Sequence, residues 1–345
     1  MKNLLLIALI YFLFNRMIKF FKDSPNNSKI VKQIDFLFIF RPVAFIVVWL
    51  LICIGMYIPH YSNETISLLI TNFSLNTFLF FLSLTLLSSI FIINNQIRKT
   101  DKNYILNKKF DLVYLIKLKK ILFVFSFLIV LYVCWPLSFF FIVCYFVSTK
   151  IEPKINSSNI KFLIYQLGML SILLFSGVYY QLFYYDIPFN FKIIVISATY
   201  FLIFSGVYLI NESYGSSNNH LITVVSYFSK RTIAFITFLI NLLSFVLLLL
   251  FNDPLGSTVL SVILFFNLYG LFRGSKKDFM RIVRYSIGIF IFFTLSIYPL
   301  LFIPTVIVFY ISKYYYWHRF DVHYPTFLVN NNTCCPIDLV VKHNR

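Results

Sequence analysis

Nine long apolar stretches run through the chain, at about 43–60, 75–93, 118–135, 136–148, 162–183, 191–210, 232–251, 256–272 and 282–312. A bilayer core asks for about 20 predominantly apolar residues per helical crossing. The stretches therefore predict an all-α fold: a polytopic membrane protein with about nine transmembrane helices in a bundle around a central cavity. The fourth stretch is short, and Pro136 divides it from the third. The ninth is long and holds Pro299 and Pro304. It fits one kinked, tilted helix or a span followed by a surface segment.

The basic residues fall in alternate gaps. Lys29, Lys32 and Arg41 precede the first stretch, and no Lys or Arg lies between His60 and Ser74. Arg98, Lys99, Lys102, Lys108, Lys109 and Lys117 fill the second gap, and the turn at Trp135-Pro136 has none. The pattern continues with Lys150, Lys154 and Lys161, then Lys230-Arg231, then Arg273, Lys276, Lys277, Arg281 and Arg284. Intervening gaps hold only Lys192 or nothing. Cytoplasmic loops carry the excess of Lys and Arg. The N-terminus and every basic gap are thus expected in the cytoplasm, with a bacterial plasma membrane as the expected location. An odd number of spans puts the C-terminal tail outside, whereas Lys313, Arg319, Lys342 and Arg345 favour the inside. The side of the tail stays open.

Composition bears on partners. The 30 Lys and Arg against 12 Asp and Glu give a net charge of +18. In a soluble protein that excess suggests nucleic acid. Here the cations sit at the ends of apolar runs, where they meet anionic headgroups. Membrane lipids are the expected partners and nucleic acid is not. Cys53, Cys134 and Cys144 lie inside apolar runs as small core residues, and Cys334 and Cys335 have no metal-ligand spacing. Three regions follow: residues 1–34, an N-terminal interfacial or anchoring helix; residues 35–312, the transmembrane domain; residues 313–345, an aromatic and basic tail. The stretch Tyr314-Tyr315-Tyr316-Trp317-His318-Arg319 suits an interfacial anchor or a docking segment.

Two polar loops, half the chain apart, close apolar spans on the same side. The first runs from Asn94-Asn95-Gln96 through Arg98 to Asp101-Lys102. Helical spacing sets Asn94, Arg98 and Asp101/Lys102 on one face. A helix C-terminus whose carbonyls are met by Arg and Lys explains the same residues. The second loop holds Asn211-Glu212-Ser213-Tyr214-Gly215-Ser216 and ends near His220 and Thr223. Glu212 ends an apolar helix, where an ionisable group is costly and hence a functional candidate; an interfacial Glu that reaches water is the plainer account. Two such clusters facing one cavity would suit a lipid-linked anion, with its tail among the 44 Phe and 24 Tyr of the chain.

The order of these features resembles the UbiA superfamily of intramembrane prenyltransferases, over residues 35 to about 312. Arg41-Pro42 matches an opening Arg-Pro. With the family's first motif, Asn-Asp-x-x-Asp-x-x-x-Asp, placed on Asn94, its acid positions fall on Asn95, Arg98 and Lys102. Glu212, Gly215, Ser216, Thr223 and Val224 occupy the places of the second motif. Tyr145, Ser148 and Lys161 look like the family's loop after its fourth helix.

The resemblance implies a prenyl diphosphate as substrate and an aromatic or lipid acceptor. It implies Glu212 and Asp101 as catalytic residues and as ligands of Mg2+. It implies Asn94, Asn95, Arg98, Lys102, Asn211, Ser216 and Lys161 as diphosphate-binding residues, and Tyr145 and Tyr214 as cavity residues. The family's acids hold magnesium, but here Arg98 and Lys102 replace two of them, so direct pairing of these cations with phosphate is the expectation. Prenyl transfer, a catalytically inactive isoprenoid-binding protein and a terpene-cyclase-like reaction all stay open. A transporter ranks last, because the stretches are nearly free of charge.

Overall fold

The computed structural model describes residues 29–62, 74–98, 112–151, 160–215 and 224–320. Among them stand eleven α-helices and no strand: α1 (Lys29–Phe38), α2 (Pro42–Ser62), α3 (Leu75–Arg98), α4 (Leu112–Val133), α5 (Leu137–Phe146), α6 (Ile160–Tyr184), α7 (Phe191–Gly215), α8 (Lys230–Leu250), α9 (Pro254–Arg273), α10 (Lys276–Ile297) and α11 (Phe302–Phe320). Eight of the described helical segments are long and apolar enough to cross a membrane, and Leu137–Thr149 is a shorter apolar one. The chain is an all-α polytopic membrane protein.

Local chemistry sets the helix limits. Pro42 opens α2, where its missing N–H is no loss. Arg41 before it takes a positive φ of 47°, which turns the chain sharply between α1 and α2. Ser229, Asp253 and Ser275 cap α8, α9 and α10 by accepting from the amides of Thr232, Gly256 and Asp278. Gly274 closes α9 at φ 63°, a conformation that glycine takes freely.

α2 is the hub. It packs against α3, α6, α7, α10 and α11, and every residue from Leu50 to Ile58 for which burial is described is buried. Its closest partner is α6. A Cβ built on Gly55 would lie 2.1 Å from the carbonyl oxygen of Leu174, and one on Gly177 would lie 2.5 Å from that of Ile52. Such backbone contact needs glycine on both helices, as in close membrane helix pairs. Hydrogen bonds add specificity: Trp49 Nε1 donates to Thr85 Oγ1 at 3.0 Å, and Thr77 Oγ1 pairs with Tyr180 Oη at 3.2 Å.

The ninth apolar stretch is two helices. Tyr298 breaks the first, Pro299–Leu301 forms one 3-10 turn, and α11 runs back along α2. Near its end Tyr315 Oη donates to Asp35 Oδ1 of α1 at 2.6 Å, and its ring stacks on Phe38 at 3.6 Å. α11 therefore ends beside the last turns of α1, where the chain turns into α2. The expected boundary at residue 312 falls inside α11, and the one at residue 34 falls inside α1. The third stretch differs too. α4 starts at Leu112, earlier than expected, and carries Lys117, Lys119 and Lys120 into its first turns.

Candidate functional site

The basic end of the bundle gathers three polar groups. The first is built on α3, α4 and the turn after α5. Asn94, in the last turns of α3, is buried. Its amide donates to the carbonyl of Ser148 at 2.8 Å, and its carbonyl oxygen accepts from the ammonium of Lys119. Lys119 is also buried, at 8% exposure. Ser148 sits in a single π turn, Val147–Ile151, that continues α5. Such turns shift backbone carbonyls out of the regular ladder and recur at functional sites. Around them Ile39, Ile93 and Leu115 form a small apolar cluster, which holds the end of α3 against the start of α4. Tyr145 stacks on Phe123 with centroids 4.0 Å apart.

The second group closes α7. Glu212 is half-buried and shares a hydrogen bond with the hydroxyl of Tyr208, one turn earlier. Asn211 beside it is exposed, and Ser213 turns its hydroxyl to the carbonyl of Ile210. Val207 and Ile210 pack with Val225, Ile233, Phe279 and Ile282, so the end of α7 is tied to the starts of α8 and α10. The third group lies there. Asp278, buried at 1%, pairs with Arg281 at 2.9 Å and with Arg273 at 3.4 Å, and accepts from the hydroxyl of Ser275. The Arg231 guanidinium lies over Gly274, within 2.7 Å of where a Cβ would stand.

Each helix reverses the one before it, which puts the ends of α3 and α7 at the same end of the bundle. α2 packs on both helices. Lys161, at the start of α6, is exposed. Asn95 and Arg98 belong to the last turn of α3, but their side chains lie outside the described residues, as does that of Tyr214. Asp101, Lys102 and Ser216 lie wholly outside them.

A magnesium ion needs several oxygen ligands, mostly carboxylates. Among the described residues no group of three His, Cys, Asp or Glu side chains stands together. Glu212 is the one described carboxylate among the candidates, and one carboxylate does not make a magnesium site. Asp101, the other expected ligand, lies outside the described residues.

Two features escape sequence reasoning. Lys119 is one of several lysines near a helix start, and only the fold reveals that Asn94 buries it. Asp253 lies in a three-residue turn at the opposite end of the bundle, fully buried. It accepts from Tyr57 Oη at 3.0 Å, Tyr200 Oη at 2.9 Å and the amide of Gly256 at 2.8 Å. Burial pushes its carboxyl above the usual value of 3.8, while these donors and Lys192 pull it back. The signal available in the sequence was the Asp-Pro pair of a helix start. An apolar pocket of about 370 Å³ also opens in this half, lined by Leu137, Phe140, Phe175, Tyr179 and Phe189 among others.

The fold thus defines the class, a polytopic helical membrane protein with a cationic, partly buried polar end. No protein family, no curated protein and no solved structure matches the chain.

Proposed function

We propose that the protein holds an isoprenoid diphosphate at the basic end of its bundle and transfers the prenyl group to an aromatic or lipid acceptor within the membrane. The observation that carries this reading is the buried ammonium of Lys119, held by Asn94 beneath a π turn. A lysine ammonium in a low-dielectric site attracts phosphate oxygens far more strongly than one in water. Preorganised positive charge is also what a departing diphosphate requires. Arg98 and Lys102 add cations between Asn94 and Lys119 in the sequence.

The tail has a place in the same reading. α5 carries Ser148 just past one end and the pocket-lining Leu137 and Phe140 at the other. At 1.5 Å per residue, Leu137 and Ser148 stand about 16 Å apart along that axis. A chain headed at Lys119 and running along α5 would reach the apolar pocket between α5 and α6. In this scheme Lys119 and Arg98 stabilise the negative charge on the leaving diphosphate. The C–O bond breaks, the allylic carbon bonds to the acceptor, and the acceptor's proton leaves to Glu212 or solvent.

A second reading, binding without turnover, is favoured by Asn95, Arg98 and Lys102 at the family's acid positions. Membranes holding the protein, incubated with radiolabelled prenyl diphosphate and an extract of membrane lipids, should yield a labelled lipid product. Retention of label without product selects the second reading; neither binding nor product removes both. Binding that survives a chelator fits cationic recognition, and binding lost with metal removal contradicts it. Lys119→Met should weaken binding at least tenfold and Lys119→Arg much less.

A further inference from the structure

α7, α8, α9 and α10 close into a ring: α8 packs on α7 and α9, and α10 packs on α9 and back on α7. The buried stripe of α8 reads Ile233, Ala234, Thr237, Asn241, Ser244 and Leu248. That of α9 includes Leu260, Leu264, Asn267 and Gly270. Both stripes follow helical periodicity, yet that of α8 turns polar near its middle and that of α9 at Asn267, in its last third. Asn241 stands beside α7, where a Cβ on Gly206 would lie 3.7 Å from its Oδ1. Thr237 donates to the Gly206 carbonyl at 3.2 Å. Gly270 against Ile282, and Phe266 against Tyr285, fix the register of α9 on α10. That register brings Asn267 and Ser286 to one level.

These groups lack protein partners. Nδ2 and Oδ1 of both Asn241 and Asn267, with the hydroxyls of Ser244 and Ser286, make no hydrogen bond, though all four residues are at most 1% exposed. Unpaired amides are expensive in a hydrocarbon interior. The layer is closed on either side. Ile210, Ile233, Phe279 and Ile282 cover it toward the basic end. Phe204 and Phe290, with centroids 4.9 Å apart, cover it toward the other.

The two amides are also out of step. With Arg231 against Gly274 at the hairpin's open end, Asn267 comes opposite Thr237, one turn from Asn241. A helical turn is about 5.4 Å, too far for a direct hydrogen bond and suited to a bridging molecule. The polar side chains of this layer are uncharged, and each of the four can both donate and accept. A neutral guest with the same two capacities completes them, and water has both.

We propose that the ring encloses a hydration site, with water molecules bound among Asn241, Ser244, Asn267 and Ser286. A buried water makes two to four hydrogen bonds to polar groups, and the site offers six such atoms.

The test is water-edited solid-state NMR on full-length protein in phosphatidylcholine bilayers, with nitrogen-15 in the asparagine side chains. The amides of Asn241 and Asn267, assigned by their loss in Asn241→Leu and Asn267→Leu, should gain polarisation from water. Asn241→Leu should reduce the transfer to Asn267 at least twofold. A direct correlation between the two amides, or no transfer to either, overturns the proposal. Hydroxyl-radical footprinting of the wild type gives a reading that needs no variant. Phe290 and Ile282 should be oxidised while Phe80 and Phe141, buried to within 2% of them, are not; protection of all four overturns it.

Discussion

Asp253 ties three helices with one carboxylate, since its donors come from α2, α7 and α9. Asp253→Ala leaves two buried tyrosine hydroxyls and an N-terminal amide without an acceptor. Hydrogen bonds to a charged group contribute about 1.5–3 kcal/mol each, so the thermal midpoint in detergent should fall sharply, and less for Tyr57→Phe. Burial raises this carboxyl on folding, so the folded protein holds the proton more tightly than the unfolded chain. Its contribution is full below about pH 3.8 and declines as pH rises through the higher folded value. The wild-type midpoint should therefore drop across that acid window relative to Asp253→Asn, whose side chain does not titrate.

At this scale the sequence was partly legible. Asn94 and Glu212 stood out because each ends an apolar run with a polar group. Lys119 and Asp253 did not, because their meaning lies in partners far along the chain: Asn94 is 25 residues from Lys119, and Tyr57 is 196 from Asp253.

Among the elements, the pairing of α2 with α6 is the most demanding. Gly55→Ala places a methyl group 2.1 Å from a backbone oxygen that cannot move aside alone. Overpacking of this kind costs about 1–3 kcal/mol and at times more. The variant should give a lower midpoint and less monodisperse protein on gel filtration. Gly168→Ala on the same α6 meets nothing within 4 Å, and the gain in helix propensity should leave it as stable as the wild type or about 0.5–1 kcal/mol better. Equal damage from both substitutions would refute the close crossing. Hydropathy located most of these helices, because a run of lipid-compatible residues is a strong signal. It could not divide the ninth stretch: a proline alone does not tell a kink from a break, and the break at Tyr298 depends on α11 finding room along α2. It also could not show that α4 carries Lys119 into the packed end, since neighbouring lysines mask it.

For the whole molecule, the separate α11 changes the parity of the chain. The contact of Tyr315 with Asp35 brings the end of the last described helix to the last turns of the first described one. Reporters sensitive to compartment, one joined before Lys29 and one after Phe320, should therefore report the same side of the membrane; opposite sides would contradict the contact. A stacked ring pair and a hydrogen bond to a buried carboxylate hold that contact together. Spatial adjacency of the first and last described helices has an engineering corollary. A circularly permuted gene, with a short linker from α11 to α1 and new ends opened between α7 and α8, preserves each helical hairpin except the one it cuts, and leaves the order in which helices enter the bilayer free to be rewritten.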